Sequence, residues 1–295
     1  MTAQGVLPSR VLPSRVLPSR VLLVTKGHPF EREPFLAIFD HLTATGAIIY
    51  EHVEHPDAQH RLHPDRLATD RIDAIDAIDA IVFYDMPGLR FTRADPPVEL
   101  EAPSPDLVAG FEALLDAGVG MVFLHHALAS WPAWPRYAEI VGGRFHYAAG
   151  DLWGRRWPDS GYLLEVDHTV EVLAPHHPVC AGLPASFTLH DELYLIPPIL
   201  PGVTPLLRTT FPMTHEHFHC TDAAIRGRRD EHGDWSHPDG PDLIGWTHTV
   251  GRSPVVYLQP GDGPSSYADA NVRRLIANAI AFVADASPAR RPVTS

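Results

Sequence analysis

GMVFLHHALASWPAWP, residues 120–135, is an apolar run that stops at two adjacent histidines. Met121–Leu124 is short and wholly apolar, which fits a strand buried on both faces. A turn of small residues follows, and then Trp131 and Trp134, each before a proline. Upstream, strands at Val21–Thr25, Ala47–His52 and Ala80–Tyr84 alternate with helices at about 31–42 and 107–117. The first helix carries Phe35, Ile38, Phe39 and Leu42 at helical spacing. This β-α-β alternation predicts a parallel, doubly wound sheet covered on both faces. Downstream, Tyr162–Leu173 alternates like a strand, two strands flank the GRSP turn, and a helix spans Ala268–Ala284.

Open α/β sheets bind ligands beyond the carboxyl ends of their strands. Those ends carry His28 and Glu31 after the first strand, Asp85 after the third, His125 and His126 after the fourth, and Gly261-Asp262 after the last. Asp85 and Asp262 also suit turns. Histidine has no special turn role, so His28, His125 and His126 are the stronger candidates for acid/base chemistry.

The chain has 295 residues and a net charge of -13, which opposes non-specific contact with nucleic acid or an anionic membrane. The N-terminus lacks an apolar leader and no apolar run is long enough to span a bilayer, so the sequence reads as cytoplasmic. No G-x-G-x-x-G follows the first strand, and no organic cofactor is expected. VLPSR occurs three times between Val6 and Arg20. The expected organisation is an irregular extension over 1–20, one α/β domain over 21–285 and a disordered tail over 286–295. IDAIDAIDA, at 72–80, leads into a strand, and the polar stretch 211–241 reads as a long functional loop.

The segments VTKGHPFER, FYDMPG, LHHALASWPAWPRYAEIVGG, HPVCAGLPASFTLHDELYL and PVVYLQPGDGPSSYAD resemble the ThuA-like, trehalose-utilisation family over roughly Val21–Ala284. That resemblance implies a flavodoxin-like, class I glutamine amidotransferase-like layered fold and a role in carbohydrate metabolism, on keto-sugars or related glycosides. It marks Asp191 and Glu192 of HDELYL as part of the family pattern. If HDELYL is a strand, His190 and Glu192 face one side and Asp191 the other. Amidotransferases of this fold place a cysteine nucleophile after a central strand, where FLHHA stands here. Cys180 and Cys220 lie far along the chain, so thiolate amide hydrolysis is not expected. The resemblance also leads one to expect GH after the last strand, where this chain has Gly261-Asp262.

Further candidates are a sugar platform at Trp131, Trp134 and Tyr137, with Asp191 and Asp262 binding hydroxyls. His215, His217 and His219 alternate, and on a strand they would face one side as ligands for Zn²⁺ or Mn²⁺. A divalent metal held by His28, His125 or His126 with a carboxylate is the other option. Two readings stay open. One is an enzyme catalysing hydrolysis, elimination or isomerisation through His125 or His126, supported by His28, Asp85 and Glu192. The other is a non-catalytic sugar-binding or regulatory module. The expected partner is a small carbohydrate, and a homo-oligomer is admitted.

Because a proline in each VLPSR copy cannot donate to a strand ladder, deleting Thr2–Arg15 is expected to leave the thermal midpoint within about 2 °C of the full chain, well under the shift that a 1 kcal/mol loss produces. A loss of several degrees in differential scanning calorimetry would contradict it.

Overall fold

The computed structural model describes residues 17–63 and 78–286. Most of the VLPSR repeat, residues 72–77 of the IDA repeat and the tail from 287 lie outside the described residues. The strands are β1 (Ser19–Lys26), β2 (Ile48–Glu54), β3 (Ala80–Asp85), β4 (Leu89–Phe91), β5 (Val98–Leu100), β6 (Gly120–Leu124), β7 (Gly150–Leu152), β8 (Arg155–Trp157), β9 (Gly161–Val172), β10 (Ser186–Leu195), β11 (Thr204–Thr209), β12 (His219–Cys220), β13 (Leu243–Val250) and β14 (Ser253–Leu258). The helices are α1 (Arg32–Ala44), α2 (Asp57–Arg61), α3 (Pro105–Ala117), α4 (Pro135–Val141), α5 (Thr221–Ile225), α6 (Pro264–Ala268) and α7 (Ala270–Asp285).

Among the described residues, one large sheet runs in the order β10-β9-β11-β13-β14-β6-β3-β1-β2, with β12 paired to β9. β2, β1, β3, β6 and β14 are mutually parallel. This 2-1-3-6-14 order is the flavodoxin-like one. β13, β11, β9 and β10 continue the sheet in antiparallel pairing. The expected flavodoxin-like α/β fold is thus present, with an antiparallel extension on one side.

The strand sequences explain their positions. β3, β6 and β14 are buried at every residue, because helices cover both faces of the parallel half. On one face α1 and α7 set Phe35, Phe39, Leu275 and Ile276 against Val82, Val122 and Val256. On the other, α3 and α4 set Phe111, Leu115, Tyr137 and Ile140 against Phe83 and Phe123. Phe83 and Phe123 stack with ring centroids 4.8 Å apart. The residues along each strand therefore divide between two cores, as period-2 alternation requires. Helix ends follow the sequence as well. Ser104 caps α3 through the Leu107 amide, Asp269 caps α7 through the Asn271 and Val272 amides, and Gly142 ends α4 with φ 87°. No helix among the described residues is long and apolar enough to cross a membrane.

Gly110 lies within α3, facing α2. A Cβ there would sit 1.9 Å from the Leu62 carbonyl oxygen, which is backbone and cannot swing aside. Alanine would improve helix propensity by about 1 kcal/mol, while forced overpacking costs about 1–3 kcal/mol. Gly110→Ala is therefore expected to destabilise the protein in urea melts, and a stabilised variant would refute this packing.

Candidate functional site

The ends of β1, β3, β6 and β14 open into one cleft of about 610 Å³. His28 and Pro29 line it after β1, Met86 after β3, Ala129 after β6 and Asp262 after β14. The antiparallel half closes the other side with Tyr162 and Glu165 of β9 and with Glu192 and Tyr194 of β10. Alternation along β10 holds only in part: the register shifts between Asp191 and Leu193, and Asp191, expected on the opposite side, lines the cleft beside His190 and Glu192. His190, Glu192 and Tyr194 share the cleft side, whereas Leu189, Leu193 and Leu195 pack into the core beneath α1 and α7.

His125 forms the floor. It is the first residue after β6, its φ is +45°, and its side chain is fully buried. A left-handed backbone is uncommon for a non-glycine residue and persists where its surroundings hold it. Here Tyr257 donates its hydroxyl to the His125 carbonyl at 3.1 Å. The His125 Nδ1–H donates to the Gln259 carbonyl at 2.7 Å. Both partners come from β14 and the residue following it, because β14 lies beside β6. Nε2 is left facing the cleft, 2.9 Å from Glu192 Oε2, 3.2 Å from Asp262 Oδ1 and 2.7 Å from the Tyr194 hydroxyl.

These contacts set the charges. Burial opposes a charge on His125, but hydrogen bonds to Asp262 and Glu192 outweigh it and carry the imidazole pKa well above 6.5. Burial also works against Asp262, yet the hydrogen bond and charge of His125 hold that carboxyl at about 2. For Glu192 burial wins over the pull of His125, and its pKa rises. Two carboxylates on one imidazolium are thus split, with Asp262 the firm anion and Glu192 the readier proton carrier. Asp191 is a positioning residue. Its two carboxylate oxygens accept from the Gly261 and Asp262 amides at 2.7 and 3.0 Å, which fixes the loop that carries Asp262.

His28 and His126 pack ring against ring at 4.9 Å. Burial lowers the pKa of both, and the charge of His125 adds to it, so they remain neutral at pH 7. His28 lines the cleft, whereas His126 is buried beneath it against Tyr84. His28, His125, His126, Glu192, Asp191 and Asp262 are therefore brought together, although only His28 and the carboxylates reach the open space.

Other expectations are corrected. Asp85 does not line the cleft; it is buried and paired with His55 Nε2 at 2.7 Å. Trp131 and Tyr137 are buried in the core under α3, and the Tyr137 hydroxyl donates to the Ala127 carbonyl. Trp134 packs edge-on against Phe111 in the same layer. The aromatic lining comes instead from Phe145, Tyr147, Tyr162 and Tyr194. His215 and His217 fall in a single 3₁₀ turn, so the three alternating histidines do not share a strand face. His215 stacks on His232, His217 meets Phe211 and His219 meets Tyr162. Among the described residues, the donors close enough to hold one metal ion are His125, Glu192 and Asp262, within 4.8 Å of one another. The stretch 211–241 is partly ordered into β12 and α5, and its Thr221, Ala224 and Arg229 line the cleft. Gln259 and Tyr194 were the neighbours least visible in the sequence; the former follows the last strand directly, and the latter lies two residues from Glu192.

The chain matches the family model ThuA, trehalose utilisation, over residues 20–283. The chain belongs to the ThuA family. A ThuA-like protein from Parabacteroides merdae covers 90% of this chain and 90% of its own length, with a TM-score of 0.59 at 14% identity. One from Bacteroides uniformis covers 92% and 95%, with a TM-score of 0.59 at 20% identity. A Salmonella typhimurium protein described as cytoplasmic covers 90% and 99%, with a TM-score of 0.52 at 13% identity. At these identities the likeness is one of fold. No curated protein matches the chain. As a ThuA family member it carries His125 at the turn after the central strand. Its two cysteines are buried, with burial raising each thiol to about 11.

The sign of the electrostatics is testable. A lowered Asp262 pKa stabilises the fold above its unfolded value near 3.8, and that contribution is lost as pH falls towards about 2. A raised His125 pKa stabilises below its unfolded value of 6.5 and is lost as pH rises through the folded value. Asp262→Asn is therefore expected to cost most stability between roughly pH 4 and 6.5, with the gap narrowing on either side. Its His125 resonance should titrate at lower pH than in wild type. An unmoved His125 titration by NMR would sink this reading.

Proposed function

We propose that this ThuA protein is a cytoplasmic enzyme of carbohydrate metabolism that acts by acid/base catalysis on a keto-sugar or glycoside derivative bound in the cleft. The observation that carries the reading is the sharing of one buried imidazolium by Glu192 and Asp262 at the cleft floor. A structural ion pair needs one partner. Two carboxylates with opposed pKa shifts, facing a cleft, form the pattern of a proton-transfer site. Glu192 gives or takes the proton at the substrate. Asp262 stays ionised and stabilises developing positive charge. His125 lies under both and holds them in place, while neutral His28 faces them as an acceptor. The tyrosines offer ring faces to the apolar side of a sugar and hydroxyls to its polar side. The reaction class is hydrolysis, elimination or isomerisation, each of which needs this pair of proton-handling groups.

A metal-assisted form of the same chemistry is supported by the donor set. Because Nδ1–H is committed to Gln259, the neutral tautomer of His125 presents an Nε2 lone pair beside two carboxylate oxygens. His125, Glu192 and Asp262 would hold Zn²⁺ or Mn²⁺, which when bound supplies polarisation of a substrate carbonyl or hydroxyl.

Glu192→Gln keeps the shape of the side chain and removes its proton chemistry. Turnover of a keto-glycoside panel is expected to fall by about 10²–10⁴-fold while the thermal midpoint is retained. Undiminished turnover would rule out Glu192 as the proton carrier, and sugar binding without any wild-type turnover would favour a binding module. Calorimetric titration of the metal-stripped protein with Zn²⁺ or Mn²⁺ decides the metal form, for which one site weakened by Glu192→Gln is expected.

A further inference from the structure

The cleft wall carries five carboxylates, from Glu31, Glu165, Asp191, Glu192 and Asp262, and a single arginine, Arg229. Asp191 is spent on the Gly261 and Asp262 amides, and Glu192 and Asp262 are spent on His125. The segment RGRRDE, residues 226–231, supplies three arginines. Arg226 pairs with Asp222 and Asp95, and Arg228 pairs with Glu231. Arg229 is exposed and has no ion pair among the described residues.

Arg229 is also held in place. The next residue, Asp230, adopts φ +59°, in the left-handed region. Its amide donates to the Tyr162 hydroxyl at 2.9 Å, and that hydroxyl donates to the Asp230 carboxylate at 3.3 Å. The Cys220 amide donates to the Glu231 carbonyl at 2.9 Å, closing the loop behind it. Tyr162 lines the cleft, so the anchor of the loop and the wall of the site are one residue. A guanidinium that meets only the neutral Tyr162 hydroxyl, with no carboxylate ion-paired to it among the described residues, keeps its charge for a ligand anion.

We infer that Arg229 is a specificity residue that binds a carboxylate on the sugar, so that the preferred ligand of this cleft is a sugar acid. The inference rests on the carbohydrate reading of the site given above. A carboxylate carries one charge and two oxygens, which one guanidinium fork matches. A phosphate dianion would leave a negative charge uncompensated in a cleft that Glu31 and Glu165 also line.

The test is calorimetric binding of D-glucuronate, D-glucose and D-glucose 6-phosphate to the full chain at fixed ionic strength. The comparison covers wild type, Arg229→Gln and Arg229→Lys. Wild type is expected to bind glucuronate roughly tenfold or more tighter than glucose, a ratio that one charge-assisted pair can supply. Arg229→Gln should abolish that preference and leave glucose binding unchanged, while Arg229→Lys should keep part of it. The thermal midpoint, expected to be unchanged for an exposed side chain, controls for folding. Equal binding of glucose and glucuronate overturns the inference and leaves the carbohydrate reading standing. Tighter, Arg229-dependent binding of glucose 6-phosphate overturns the choice of carboxylate. If none of the three sugars binds, both readings fall.

Discussion

Burying an imidazole where it carries charge is the constraint on which the site depends. An isolated charge moved out of water costs many kcal/mol and is tolerated only when paired and hydrogen-bonded. His125 meets that demand with every polar atom it has. Gln259 takes Nδ1–H, and Glu192, Asp262 and Tyr194 surround Nε2. These partners come from three parts of the chain that only this topology joins. β14 must lie beside β6 for Gln259 to reach the ring, and β10 must fold over the end of the sheet for Glu192 to do so. Asp191 then fixes the loop on which Asp262 sits. The chemistry and the fold therefore share one requirement, that the sheet be complete from its parallel centre to its antiparallel edge.

The parallel half was legible in sequence because its physics is local. Short, wholly apolar strands such as Met121–Leu124 and Ala80–Tyr84 announce burial on both faces. The helices between them repeat at 3.6 residues. Their order then fixes where ligands bind, since the carboxyl ends of parallel strands meet on one side of the sheet. From that alone His28, His125, His126 and Asp262 could be gathered into one place. Glu192 followed from a strand pattern and a resemblance together. The alternation of HDELYL placed His190 and Glu192 on the cleft side, but the register shift after Asp191 brings that residue to the cleft as well.

What was not legible depended on contacts far apart in sequence. Asp85 ends a strand as a site residue should, but its partner His55 arrives from the loop after β2, and the pair turns inward. Trp131 and Trp134 sit next to the site in sequence. Helix α4 begins immediately after them, and its packing on the sheet beside α3 draws both rings into the core. The spacing of His215, His217 and His219 presumes an extended backbone, and a 3₁₀ turn removes that premise. Arg229 was invisible for a related reason. In RGRRDE nothing distinguishes one arginine from its neighbours until the fold brings Asp222, Asp95 and Glu231 to two of them and the cleft to the third.

The residue at 262 is where sequence pattern and electrostatics meet most directly. A histidine there would face His125 with only Glu192 between them, and two imidazoles would compete for one negative charge. The protonated form of His125 would then be harder to bury, because like charges in a low-dielectric floor repel. Aspartate reverses the balance. With His125 charged and both carboxylates ionised, the cluster carries one net negative charge. The low pKa of Asp262 means that it is Glu192 that takes up the proton when one arrives. The departure from the expected Gly-His therefore puts a second carboxylate beside His125 Nε2, opposite Glu192 of β10.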